Sequence, residues 1–298
     1  MKEQFQYKRR EELRVATIQA FAHHQEVFQV FFFGKEVAGN VDRFSDIDMV
    51  VCSRNLATTQ QTYRQTFESI SPIRSTLLLE STAKQFAEML MLKEYSPYQK
   101  IDFSIVSDIR DKQQFGPFRL MYECERDADH SLTTFDGCDL IALHRNVVYV
   151  LQDILFSVAR FTKCLFRQDG EMYRRWKSLT NMAIVLLYEK YFGWQAETVK
   201  KQLTAYETKH LSEALSSQDH GCVEAIYPSN GLLHLAQSYH ASINLVIELS
   251  RQKAAYFGVS LDTEFIIYIQ EFLQAELSQY DRHQTGGSYS SSLQKTEE

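Results

Sequence analysis

The segment Phe31 to Val51, FFFGKEVAGNVDRFSDIDMVV, sets two carboxylates into what otherwise reads as a buried strand, and that conflict restricts the fold more than any other feature of the chain. In a strand alternate side chains share a face, so Asp46 and Asp48 point one way while Ile47, Met49 and Val51 point the other. The apolar set needs a covering layer. The carboxylates need a cation, because an unpaired carboxylate withdrawn from water costs several kcal/mol or takes up a proton.

The flanking sequence supplies elements for such a layer. Apolar residues recur at helical spacing from Lys8 to His24 (Leu13, Ala16, Ile18, Phe21), and EVFQVFFF, aromatic and β-branched, reads as a strand. After the opening segment, DIDMVVC reads as a strand, Ala57 to Ser69 as a helix, IRSTLLLE as a strand, AKQFAEMLML as a helix and QKIDFSIV as a strand. Helices and strands alternating in this way predict a small mixed-sheet domain over residues 1–108.

Beyond Asp108 the period changes. DLIALHRNVVYVLQDILFSVARFTKCLF, EMYRRWKSLTNMAIVLLYEKYF, LHLAQSYHASINLVIELSRQKAAYF and DTEFIIYIQEFLQAELSQY repeat apolar residues at helical spacing, with breaks at Gly170, Gly193, Pro228 to Gly231 and Gly258. The expectation is an α+β chain whose second domain, residues 109–283, is an all-helical bundle. Residues 284–298, rich in Gly, Ser and charge, have nothing to bury and read as a disordered tail.

Composition narrows the function. A length of 298 residues with 44% hydrophobic and 23% charged side chains suffices for two modest cores. The net charge of -6 argues against a surface that grips a nucleic acid backbone indiscriminately. Cys52, Cys124, Cys138, Cys164 and Cys222 are odd in number and contain no C-x-x-C pair, which fits a cytoplasmic protein without a disulfide framework or zinc ribbon. The charged N-terminus lacks the apolar core of a signal peptide, and no apolar run is long enough for a membrane span.

Oxygen-only ligation by converging carboxylates suits a hard divalent cation, and magnesium in particular is held by one or two carboxylates with substrate phosphates completing its octahedron. In QKIDFSIV the alternation sends Ile101, Phe103 and Ile105 to one face and Asp102 with Ser104 to the other, which makes Asp102 a candidate third ligand. Gly34 closes the preceding strand, where a glycine lets backbone N–H groups approach phosphate. The run GKEVAG superficially resembles the start of a P-loop, but Asn40 and Val41 stand where Lys and Ser or Thr are required.

Strand, Gly34, Ser45-Asp46-Ile47-Asp48 on the next strand and Asp102 on a later one resemble the signature of nucleotidyltransferases of the DNA polymerase beta superfamily, in particular the small bacterial antibiotic-modifying aminoglycoside and lincosamide type. The resemblance covers the first third of the chain closely and the helical remainder in architecture. It implies that Asp46 and Asp48 hold the metal ions that bind a nucleoside triphosphate, and that Asp102 helps activate the acceptor hydroxyl. It also implies that Gly34, Lys35 and Ser45 border the nucleotide, with two metals serving an in-line displacement of pyrophosphate. One position departs from the pattern: Lys35 stands where the family has serine, and either meets phosphate as a point charge or marks a member that binds nucleotide without turnover.

Six basic residues (Arg160, Lys163, Arg167, Arg174, Arg175, Lys177) cluster near the junction of two expected helices. Most suit a solvated helix end. The resemblance implies that Arg174 or Lys177 reaches the triphosphate from the helical domain. A HEPN-type ribonuclease would need Arg, four to six residues, then His, whereas Arg126 and His130 have three between them. The resulting expectation is a magnesium-dependent enzyme moving a nucleoside monophosphate to a hydroxyl of a small molecule, an antibiotic being the acceptor the resemblance implies, in a cleft between sheet and bundle. The alternatives are a nucleotide-binding or regulatory protein of the same fold without turnover, or an enzyme modifying a protein or an RNA.

Overall fold

The computed structural model describes residues 2–110, 116–124, 145–197, 202–228 and 231–285. Cys138, Arg126, His130, residues 139–144 of the first expected bundle helix and residues 286–298 of the expected tail lie outside them. The fold is α+β, a six-stranded mixed sheet followed by a helical region. The chain separates into two compact units, one formed by Met1–Arg160 with Ala196–Val199 and the other by Phe161–Gln195 with Lys200–Glu298.

The first unit runs α1 (Lys2–Ala22), β1 (Val27–Phe32), α2 (Lys35–Ala38), β2 (Ile47–Ser53), α3 (Leu56–Glu68), β3 (Ile73–Ser81), β4 (Gln85–Leu92), β5 (Ile101–Val106) and β6 (Arg119–Glu123). The sheet order is β3-β4-β5-β2-β1-β6, with β2 and β5 parallel and every other neighbour antiparallel. One face carries Val30, Phe32, Ile47, Met49, Val51, Ile101, Phe103 and Ile105, and helices α1 and α3 cover it with Leu13, Phe21, Tyr63 and Phe67. Phe103 is fully buried and stacks on Tyr63 with ring centroids 5.3 Å apart. Burying each such ring contributes about 2–3 kcal/mol. The other face gathers Phe28, Phe31, Val50, Cys52 and Val106. By the two-residue period Asp48 and Asp102 belong to this second face.

The segment AKQFAEMLML, expected as a helix, is strand β4. It pairs with β3 on one side and β5 on the other, and its side chains are buried on both faces. A short apolar run fits a buried strand as well as a buried helix, and here the two neighbouring edges decide. Strand β6 pairs with β1 and extends the sheet beyond the strands expected from sequence.

The helices that follow are α4 (Val147–Arg167), α5 (Glu171–Phe192), α6 (Ala205–Ala214), α7 (Ser217–Ala225), α8 (Gly231–Phe257) and α9 (Thr263–Thr285). Residues 284 and 285, assigned from sequence to the tail, close α9. Short α6 and α7 lack an apolar stripe long enough to announce them, and each starts at a side-chain cap, Thr204 with Glu207 and Ser216. Helix α5 packs on α8 with polar anchors among the contacts. Trp176 Nε1 donates to Ser238 Oγ at 2.8 Å, and Lys253 Nζ meets Glu189 Oε2 at 2.7 Å with both side chains buried. Among the described residues no helix is long and apolar enough to cross a membrane, and no disulfide joins the described cysteines.

Candidate functional site

Parallel pairing of β2 with β5 sets Asp48 opposite Asp102, and Asp46 stands one residue before β2. Carboxylate oxygens of Asp46, Asp48 and Asp102 lie within 4.8 Å of one another. The three aspartates singled out from sequence therefore come together, Asp48 and Asp102 through strand register and Asp46 from the residue just before β2.

Gly34 borders this cluster. Its φ of 64° lies in the left-handed region, and a Cβ added there would collide with Asp48 Oδ2. The neighbouring Phe33 N–H donates to the Asp48 carbonyl at 3.1 Å. Glycine is thus required twice, for backbone conformation and for the close approach of the carboxylate. Helix α2, which starts here, is a single turn and too short for a helix-dipole argument.

The cation beside the aspartates is Lys100. Its side chain is 6% exposed, with Nζ 2.5 Å from Asp102 Oδ1 and 3.2 Å from Asp46 Oδ2. Burial pulls the Lys100 pKa down and the charge of Arg160 adds to that, but Asp102 and Asp46 outweigh both and hold it above the ordinary lysine value. Three carboxylates and one ammonium leave two formal negative charges in the cluster. Sequence reading missed Lys100, although the alternation that sent Asp102 to this face sends Lys100 with it.

Arg10 of α1 holds the loop ahead of β2. The side chain is 1% exposed. Its Nε donates to the Ser45 carbonyl and one terminal nitrogen to the Asp46 carbonyl, each at 3.1 Å, while that same nitrogen meets Glu36 Oε2 of α2 at 2.8 Å. One guanidinium therefore ties the backbone carrying Asp46 to the turn that follows Gly34. Phe44 and Tyr98 add an edge-to-face contact, centroids 4.9 Å apart, joining the loop before Asp46 to the turn before Lys100. The Ile47 N–H donates to the Lys100 carbonyl at 3.0 Å and fixes that register. No local pattern announces this role of Arg10, since the groups through which it ties the site together lie 26 to 36 residues away.

The remaining sequence candidates are placed as follows. Ser45 is fully buried, and its hydroxyl accepts from the Asp42 N–H at 3.0 Å and donates to Asp42 Oδ1 at 2.8 Å, so it shapes the turn entering β2. Lys35 Nζ lies 3.9 Å from Asp42 Oδ2. Arg174 pairs with Glu171 on its own helix, where Arg175 also reaches Glu171 at 2.5 Å, and Lys177 is exposed; all three belong to the second unit.

The donor set fits a hard divalent cation. It is all oxygen, and three carboxylates with oxygens within 4.8 Å of one another can converge on one ion. Asp46, Asp48 and Asp102 would hold such an ion.

No family model matches this sequence, and no curated protein matches it. Among solved structures the chain is similar to an aminoglycoside 6-adenyltransferase from Bacillus subtilis, at 12% identity over 88% of this chain and 96% of that one, with a TM-score of 0.33.

Proposed function

We propose that this chain is a magnesium-dependent nucleotidyltransferase that moves a nucleoside monophosphate from a triphosphate to a hydroxyl of a small molecule. The observation that carries the reading is the meeting of Asp46, Asp48 and Asp102 on one sheet face beside a glycine whose backbone lies against Asp48. A bound divalent cation would supply charge neutralisation for the triphosphate and its departing pyrophosphate. The acceptor oxygen forms a bond to the α-phosphorus as the bond to the bridging oxygen breaks, and pyrophosphate leaves with that electron pair. Asp102 takes the hydroxyl proton. Gly34 and Lys35 border the phosphates, and Ser45 keeps the Asp46 loop in shape. An aminoglycoside-like or lincosamide-like antibiotic is the acceptor class the sequence resemblance favours, and a cytoplasmic setting fits a nucleotide-using enzyme.

A second reading has one observation in its favour: the Lys100 ammonium engages two of the three aspartates, which suits a protein that binds nucleotide without turning it over. Pyrophosphate release separates the two. Each nucleoside triphosphate is incubated with magnesium and a panel of hydroxylated antibiotics. Release that requires magnesium and an acceptor, and disappears in Asp48→Asn, establishes the transferase. Nucleotide-dependent thermal stabilisation without release in any combination establishes the binding protein.

A further inference from the structure

We propose that Lys100 is a tethered counter-ion that holds the metal-free aspartates together and is exchanged for a divalent cation when the site loads. The inference rests on reading the aspartates as a metal site, and concerns how that site is regulated. Carboxylates whose oxygens lie within 4.8 Å repel one another unless a positive charge sits among them. The chain supplies that charge itself, from the position two residues before Asp102 on the same strand face.

Lys100 reaches Asp46 and Asp102 together, at 3.2 and 2.5 Å, so it engages two of the carboxylates that a shared cation would use. An ammonium and a divalent cation on the same oxygens repel strongly where water is scarce. Loading therefore displaces Nζ from at least one aspartate. A lysine suits this exchange better than an arginine, because its point charge rides on a flexible four-carbon stem and needs no planar bidentate partner. Once displaced, the ammonium stays within reach of the site and is available to phosphate oxygens. Site assembly and metal entry thus become opposed, and Lys100 sets the metal concentration at which the site fills.

The test measures Mn2+ binding to the full chain without nucleotide, by following the signal of free Mn2+ in electron paramagnetic resonance. Lys100→Met removes the charge and keeps the stem, and circular dichroism checks its fold. Tightening by at least about tenfold over the parent is expected, together with loss of that binding in Asp48→Asn. Unchanged or weaker Mn2+ binding in folded Lys100→Met overturns the exchange.

Should Lys100→Met fail to fold, the parent itself is labelled with an amine-acylating reagent with and without saturating Mn2+ and analysed by mass spectrometry. Lys100 labelling that rises with metal while other lysines stay constant supports displacement, and equal protection in both states overturns it. The transferase reading fails separately. Tight Mn2+ binding in Lys100→Met without pyrophosphate release by the parent removes the transferase and leaves the exchange. No metal binding in any variant removes both.

Discussion

Asp48 Oδ2 occupies the space into which a side chain at Gly34 would project, so the carboxylate and the backbone of the preceding loop share one volume. Gly34→Ala must both strain a backbone at φ 64° and push Asp48 aside. We expect it to lose about 2–3 kcal/mol of stability in denaturant unfolding and all Mn2+ binding. In an Asp48→Ala background the clash is gone and only the backbone strain remains, about 1–2 kcal/mol. Equal costs in both backgrounds would show that the contact with Asp48 is immaterial.

Arg10 is the residue whose loss should most disturb the site without touching a metal. Arg10→Met leaves two loop carbonyls without this donor and Glu36 with only the longer pairing to Arg14 at 3.5 Å, and should cost about 3 kcal/mol while weakening Mn2+ binding. Arg10→Lys should rescue little, because a compact ammonium cannot serve the Ser45 and Asp46 carbonyls and Glu36 from one planar head. Full rescue by lysine would reduce the role of Arg10 to its charge.

The two aspartates of the Asp-x-Asp pair should differ in the metal-free protein. Asp46→Asn loses an ion pair with buried Lys100 and should lower the melting temperature, whereas Asp48→Asn should leave it unchanged or raise it by easing carboxylate repulsion. In both variants the stabilisation by magnesium with a nucleoside triphosphate should vanish, roughly 2.7 kcal/mol at a hundredfold the Kd. Differential scanning calorimetry with and without ligand reads both effects. A parent-like ligand response in Asp48→Asn would place the site elsewhere.

Acid should weaken the second unit through Asp219. Burial alone would raise its pKa, but Lys190 and the hydroxyls of Tyr191 and Ser216 donate to it and hold it below the ordinary aspartate value. A depressed carboxyl pKa contributes stability above the unfolded value of about 3.9 and loses it as pH falls through the folded value. Asp219→Asn should therefore lower the melting temperature at pH 7, with the gap to the parent closing as pH drops below about 4. A gap that persists at low pH would mean the asparagine disturbs packing instead.

Local periodicity determined a good deal of this protein. The two-residue alternation in DIDMVVC and QKIDFSIV sent Asp46, Asp48 and Asp102 to one face and the aliphatic residues to the other, and the helical spacing beyond Asp108 marked out α4, α5, α8 and α9. Such patterns are legible because each residue's face depends only on its near neighbours. The same alternation placed Lys100 beside Asp102, yet the presence of a lysine does not reveal which charge its flexible stem will seek. Strand β4 reads from its own sequence as a helix, since eight apolar-rich residues suit either state until β3 and β5 offer hydrogen-bonding edges on both sides. Arg10 was decided by tertiary structure alone. A helix residue finds the Asp46 carbonyl only once the sheet has brought residues 36 positions apart together, and long-range pairing of that kind leaves no trace in local sequence.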